Sequence, residues 1–251
     1  MIIIGMTGPI GHGKTTFSDA LAELEPTTVH LESSQVIIEV ANAWQAALSG
    51  VPDPYNVEGL NNWLRALPSI LLEITRVKCS FEQIALSQNS IEEHPIEFQK
   101  LILHAENLQR NPTLISENIT VDNKESYRPL LQWLGGYLVQ KADSGIWYRE
   151  ILRRALHAST KGCKLCLVGG LRYPSDAAIL REASAIIIKI HRPGHLQSDL
   201  LDPTERERQN IKADCEVRSN GTVADVKNFA KLFYIDLCNN DLKSTYQTAS
   251  M

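Results

Sequence analysis

The sequence predicts an α/β protein, a parallel sheet with helices on both faces. Three observations predict it. Five short apolar runs alternate with helical patterns, as buried parallel strands alternate with their crossovers. The first run leads straight into a glycine-rich turn, G-x-x-x-x-G-K-T from Gly8 to Thr15. The stretch between the second and third runs is far too long for one crossover, so it must hold helices of its own.

The elements follow in order. Ile2–Met6 is the first strand, and TTFSDALAEL after Lys14 has the apolar spacing of a helix to Leu24. Thr28–Leu31 is the second strand. It gives way to Glu32-Ser33-Ser34, where a serine can cap a helix over Gln35–Leu48. Val51-Pro-Asp-Pro marks a turn-rich boundary, and a helical insertion is expected from there to about residue 125. Leu60–Thr75 carries helical spacing, with Pro68 kinking or dividing it. Pro95–Leu108 and Glu125–Lys141 read as further helices, with a turn at Asn111-Pro-Thr between them. Asp143 is placed to cap a helix starting at Ser144–Ile146. Lys164–Val168, Ala185–Ile190 and Cys215–Arg218 are the remaining strands, with helices over Pro174–Glu182 and Val223–Cys238. The polar residues from about Asp241 read as a frayed end. The expected whole is a single domain over 1–251, with five strands and one insertion.

Bulk properties narrow the function. At 251 residues, 43% hydrophobic and 22% charged, the chain can bury a full core. A net charge of −4 gives no global attraction to nucleic acid or membrane surfaces. No apolar run approaches a membrane span, and the first is too short for a signal peptide, so a cytoplasmic location is expected. Five cysteines, an odd number without framework spacing, suit a reducing compartment. Cys163 and Cys166 form a C-x-x-C, but Cys166 lies in the apolar run LCLV and no second pair completes a zinc site, so both read as packing residues. The seven histidines show no metal-ligand spacing.

The chemistry is concentrated in the first turn. Backbone N–H groups can wrap a triphosphate only where the chain turns tightly with no Cβ in the way, and Gly8, Gly11 and Gly13 supply that freedom. A helix starting at Lys14 points its positive end at the phosphates. Lys14 is expected to reach the β- and γ-phosphates, Thr15 to ligate Mg²⁺ and Thr16 to contact the α-phosphate. His12 occupies a variable position of the same ATP-binding loop. ATP and Mg²⁺ are thus the expected ligands.

Four pieces of the chain resemble the bacteriophage deoxynucleoside monophosphate kinases, within the adenylate-kinase-like and dephospho-CoA-kinase-like P-loop kinases. They are the glycine-rich loop; Tyr127–Leu152, similar to a family helix with an R-x-L-L-Q-x-x-G core and a D-x-x-W segment; Val168–Leu180, similar to the D-V-R-F-x-N-E-A ending the third strand; and His191–Gly194 with Ala213–Phe229, similar to the strand and helix start near the adenine. The resemblance implies the three-layer αβα P-loop kinase fold, a cytoplasmic nucleotide-metabolism kinase, and Asn220 and Gly221 beside the adenine. It places Arg128, Arg172 and Arg192 at family positions, the first two holding an acceptor's phosphate and Arg192 following the fourth strand. Arginine suits such work because its planar fork grips phosphate in two places. Ser33 and Ser34 are further candidates on the acceptor side. Gln132, one turn on from Arg128, can hydrogen-bond a base edge. Trp133 and Trp147 read as core aromatics. DPTERERQ, with Arg206 and Arg208, falls in a candidate lid over about 192–212.

The chain also departs from the family. Gly169-Gly170-Leu171-Arg172 stands where the family ends its third strand on an acidic residue, and the acid of N-E-A is shifted to Ser175-Asp176. Related kinases of hydroxyl groups carry an acid at the end of the second strand to accept the proton, and Glu32 stands there. Three readings therefore stay open. One is a kinase of deoxynucleoside monophosphates. The second is a kinase of a hydroxyl acceptor: a nucleoside, a hydroxymethylated base in phage DNA, or a dephospho-CoA-like metabolite. The third is a nucleotide-binding switch. Nucleic acid enters only under the second, a membrane under none, and a homodimer is an expectation.

Overall fold

A computed structural model of the chain describes residues 1–9, 11–87, 95–193, 207–219 and 222–247. It divides into two compact units: Met1–Glu32 with Ile151–Met251, and Ser33–Glu150.

The first unit is built on a parallel sheet of strands β1 (Ile2–Thr7), β2 (Thr28–Glu32), β3 (Leu165–Gly169), β4 (Ile186–His191), β5 (Cys215–Arg218) and β6 (Thr245–Gln247). Their order across the sheet is β2-β3-β1-β4-β5-β6. The expected count of five is corrected to six. β6 lies in the tail expected to fray, and its anchor is Tyr246, buried to 4% exposure. The Tyr246 ring packs edge-on to Phe233 at 5.8 Å, and its hydroxyl donates to Asp236 Oδ2 at 2.8 Å. One aromatic with a polar tip is enough to hold a short edge strand, and flanking polar residues conceal it from an apolar-run criterion.

Each of the first four strands extends one residue beyond its apolar run, to Thr7, Glu32, Gly169 and His191. The ladder explains this: Glu32 pairs with Gly169 and Thr7 with Lys189, so backbone pairing continues where side chains turn polar. Those ends form the sheet's carboxyl edge, where open α/β sheets bind their ligands.

One sheet face is covered by helices α1 (Lys14–Leu24) and α10 (Val223–Asn239), which pack on each other. Phe17, Leu21, Phe229 and Phe233 lie there in one cluster with Ile4, Met6, Ile188, Ile190 and Val217. On the other face Gly5 makes room for α9 (Pro174–Glu182): a Cβ at Gly5 would stand 2.8 Å from Ile187 Cδ1 and 3.0 Å from Leu180 Cδ1.

The second unit is helical. It holds α2 (Ser33–Ala46), α3 (Val57–Leu64), α4 (Leu67–Thr75), α5 (Phe81–Ile84), α6 (Pro95–Arg110) and α7 (Arg128–Lys141), with 3-10 turns at Pro112–Ile115 and Lys124–Tyr127. Pro68 divides the expected Leu60–Thr75 helix and sits in the first turn of α4, where its missing N–H costs no hydrogen bond. α8 (Ile146–Thr160) begins in this unit, and Asp143 Oδ1 accepts from Gly145 N at 2.8 Å just before it.

Aromatic stacking organises the unit's core. Trp44 lies on Trp63 at 4.1 Å, Trp133 on Trp44 at 5.5 Å, and Tyr137 on Trp133 at 4.9 Å. His104 continues the stack at 5.9 Å from Trp63, fully buried with neither ring nitrogen hydrogen-bonded. Trp133 and Trp147 are buried, as core aromatics should be. Two asparagines clip loops to helices: Asn42 exchanges bonds with the Ile119 backbone at 3.0 and 2.7 Å, and Asn61 does so with Leu86.

Candidate phosphate-binding site

The loop between β1 and α1 has the backbone its glycines predict. Gly8, Gly11 and Gly13 have φ of +136°, +78° and +92°. A Cβ on Gly8 would stand 2.1 Å from the Ile190 carbonyl oxygen, so the loop begins pressed against the end of β4. Gly13 is the N-cap of α1, and it makes no side-chain cap hydrogen bond. Lys14 reaches back over the loop, its Nζ donating to the carbonyls of Gly8 at 2.7 Å and Pro9 at 2.6 Å. Thr15 is exposed and Thr16 half-buried, both in the first turn of α1.

His12 is fully buried. Its Nδ1 accepts from Arg192 N at 2.9 Å, and its ring lies 5.5 Å from that of His191. The loop is thereby tied to the end of β4, and Arg192 is fixed by its backbone while its side chain is half-buried.

On the β2–β3 side, Glu32 pairs with Gly169, and its carboxylate occupies the room a side chain at 169 would need. Arg172 is exposed just beyond. Its N–H and that of Tyr173 donate to Asp176 Oδ2 at 2.9 and 2.8 Å, so Asp176 ties down the strand-to-helix turn. Burial raises the Asp176 carboxyl to about 6, against the lowering effect of those bonds and of Arg172. The shifted acid of the motif is thus buried beneath the turn.

Composition and motif spacing gave no sign of a polar cavity of about 690 Å³ beside Thr7, Gly8 and Pro9. Lys189 and His191 of β4 line it with Glu216 and Arg218 of β5, joined by Arg208 and Gln209. Arg218 pairs with Glu216 at 2.6 Å. Burial, and then Lys189, lower the His191 pKa. A signal did exist: IIIKIH and CEVR alternate, whereas strands covered by apolar helices on both faces read as unbroken apolar runs.

The other candidates fall in the helical unit or outside the described residues. Ser33 and Ser34 open α2, half-buried and exposed. Arg128 is exposed at the start of α7 and pairs with Glu125 at 2.8 Å, with Gln132 half-buried one turn on. Asn220, Gly221, Arg206 and most of the 192–212 segment lie outside the described residues.

Among the described residues no three His, Cys, Asp or Glu side chains gather to hold a metal ion, and no helix is long and apolar enough to cross a membrane. The loop nevertheless fits Mg²⁺, which binds through few protein oxygens and mainly through phosphates: a hydroxyl, from Thr15, stands at the helix start. No family model matches the chain. It is 30% identical over 81 residues to a protein of Acanthamoeba polyphaga mimivirus named "Putative deoxynucleotide monophosphate kinase". That match spans 32% of this chain and 38% of the viral protein.

Proposed function

We propose that the chain is a kinase that transfers the γ-phosphoryl group of ATP to a nucleotide, in the first instance a deoxynucleoside monophosphate. The observation that carries the reading is the loop from Gly8 to Thr15: three left-handed glycines at the sheet's carboxyl edge, with Lys14 folded over them. The partial likeness to the viral protein supports the nucleotide acceptor.

The chain's residues divide the work. The loop's N–H groups and the start of α1 hold the triphosphate, and Lys14 Nζ exchanges its two carbonyl partners for the β- and γ-phosphates. Thr15 would hold Mg²⁺ through its hydroxyl, and the ion would supply positive charge to the phosphates. Arg172 and Arg192 offer planar cations to phosphate oxygens as charge shifts in transfer. An acceptor phosphate oxygen bonds to the γ-phosphorus, the bond to the β–γ bridging oxygen breaks, and ADP leaves with the electron pair.

One observation favours a second reading, a hydroxyl acceptor. Glu32 brings an exposed carboxylate to the carboxyl end of β2. A hydroxyl must lose a proton on attack, and a phosphate need not.

Label transfer from γ-labelled ATP to deoxynucleoside monophosphates, nucleosides, dephospho-CoA and hydroxymethylated DNA tests both. Transfer to monophosphates is expected, abolished by Lys14→Ala. Glu32→Gln then distinguishes the acceptors: a loss of about a hundredfold or more marks a proton-accepting role, and a small loss a phosphate acceptor. No transfer to any of these, with ATP still bound, leaves the chain a nucleotide-binding switch.

A further inference from the structure

Gly169 and Gly170 end β3 side by side, and only one of them is required by the backbone. Gly170 has φ of +73°, a left-handed turn that leads the chain out of the sheet. Gly169 has no such conformation: it is buried, in the ladder, paired with Glu32. Glycine weakens a strand, and within one it often marks the close approach of another group. At Gly5 that group is apolar, the side chains of Ile187 and Leu180. At Gly169 the three atoms nearest to a built Cβ all belong to Glu32: Oε1 at 2.7 Å, Cδ at 3.2 Å and Cγ at 3.2 Å. The carboxylate lies across the end of β3 in the volume of the missing side chain.

We propose that Gly169 is the positioning residue for Glu32: by lacking a side chain it lets β2 supply the acidic group that the end of β3 does not carry. The functional half rests on the second reading above, a hydroxyl acceptor whose proton Glu32 takes. A glutamate is long enough for this, since neighbouring strands are about 4.8 Å apart and its side chain reaches one strand over. β3 is also the direct neighbour of β1, with Val168 paired to Gly5, so the carboxylate is brought one strand nearer the phosphate loop than the backbone of β2 stands. An alanine at 169 meets the flexible end of the glutamate, not backbone. The methyl group therefore displaces the carboxylate and leaves the strand intact.

The test is a double-variant cycle on the full chain, with two readouts. Gly169→Ala is expected to keep its circular dichroism and its KM for ATP while kcat falls by about ten- to hundredfold, the cost of misplacing an acting group by about 1 Å. In the Glu32→Gln background Gly169→Ala causes no further fall. The second readout is carboxyl-carbon NMR, with the Glu32 resonance identified by its loss in Glu32→Gln; that resonance shifts in Gly169→Ala and the other glutamates stay. Glu32→Ala with Gly169→Ala folds as Glu32→Ala alone does, because the methyl's space is then free. An unmoved resonance with unchanged kcat overturns the proposal, as do losses that multiply fully in the double variant. Transfer to monophosphates alone, or to no acceptor, overturns the functional half, and the resonance still decides the positioning half.

Discussion

Gly8 tolerates no side chain, for two separate reasons. Its φ of +136° is open only to glycine, and a Cβ would stand 2.1 Å from the Ile190 carbonyl oxygen. Gly8→Ala should therefore lower stability by at least about 1–3 kcal/mol and abolish ATP binding, read by thermal denaturation and by calorimetric titration with ATP. Gly13 is different: a Cβ there meets only Val226, at 3.7 Å, so its constraint is the φ of +92° alone. The motif spacing identified both glycines without separating these causes, because the crowding at Gly8 comes from a strand 182 residues away in sequence. His12 was equally hidden. A histidine inside a glycine-rich loop has no periodicity to mark it, and its partners are the His191 ring at the end of β4 and the N–H of Arg192 just after it.

At the scale of elements, helix ends carry consequences that sequence patterns catch well and electrostatics that they do not. Pro174–Glu182 was legible as a helix with the same bounds because proline begins it and apolar spacing sustains it. What tertiary packing added is the burial of Asp176 under the Arg172–Tyr173 turn, which raises its carboxyl to about 6. Its ordinary value is 3.8, so the native state holds the proton more tightly, and this stabilisation is fully present below 3.8 and lost as pH rises through about 6. Asp176→Asn keeps an acceptor for the two N–H groups and removes the titration. Urea unfolding between pH 4 and 8 should show the wild type gaining up to about 3 kcal/mol on acidification relative to that variant. Among the strands, β4 and β5 were found by their apolar residues, and the message of Lys189, His191, Glu216 and Arg218 between them is read only once the cavity on that face is seen.

On the scale of the whole molecule, Asp176 in the sheet unit and His104 in the helical unit respond to acid with opposite signs. His104, buried in the helical unit's aromatic stack, is lowered from 6.5 to about 4 by burial. Its contribution is present above 6.5 and lost as pH falls towards 4, because the unfolded chain takes up the proton first. Hydrogen exchange should report the opening free energy of segments within 33–150 falling by about 2 kcal/mol between pH 7 and pH 5, relative to a His104→Phe variant that keeps the stack without a titrating ring. Segments of the sheet unit should give no such difference between the two proteins. The sequence by itself determined the alternation of strands and helices, the glycine-rich turn after the first strand and the helices between the second and third strands, since each rests on a local pattern: apolar runs, a 3.6-residue period and fixed glycine offsets. Only the tertiary structure decided the sixth strand, the buried state of His12, Asp176 and His104, the polar cavity and the lodging of Glu32 over Gly169. Each of these depends on which distant residue fills, or leaves empty, the space beside a side chain. That is a property of packing, and no window along the chain contains it.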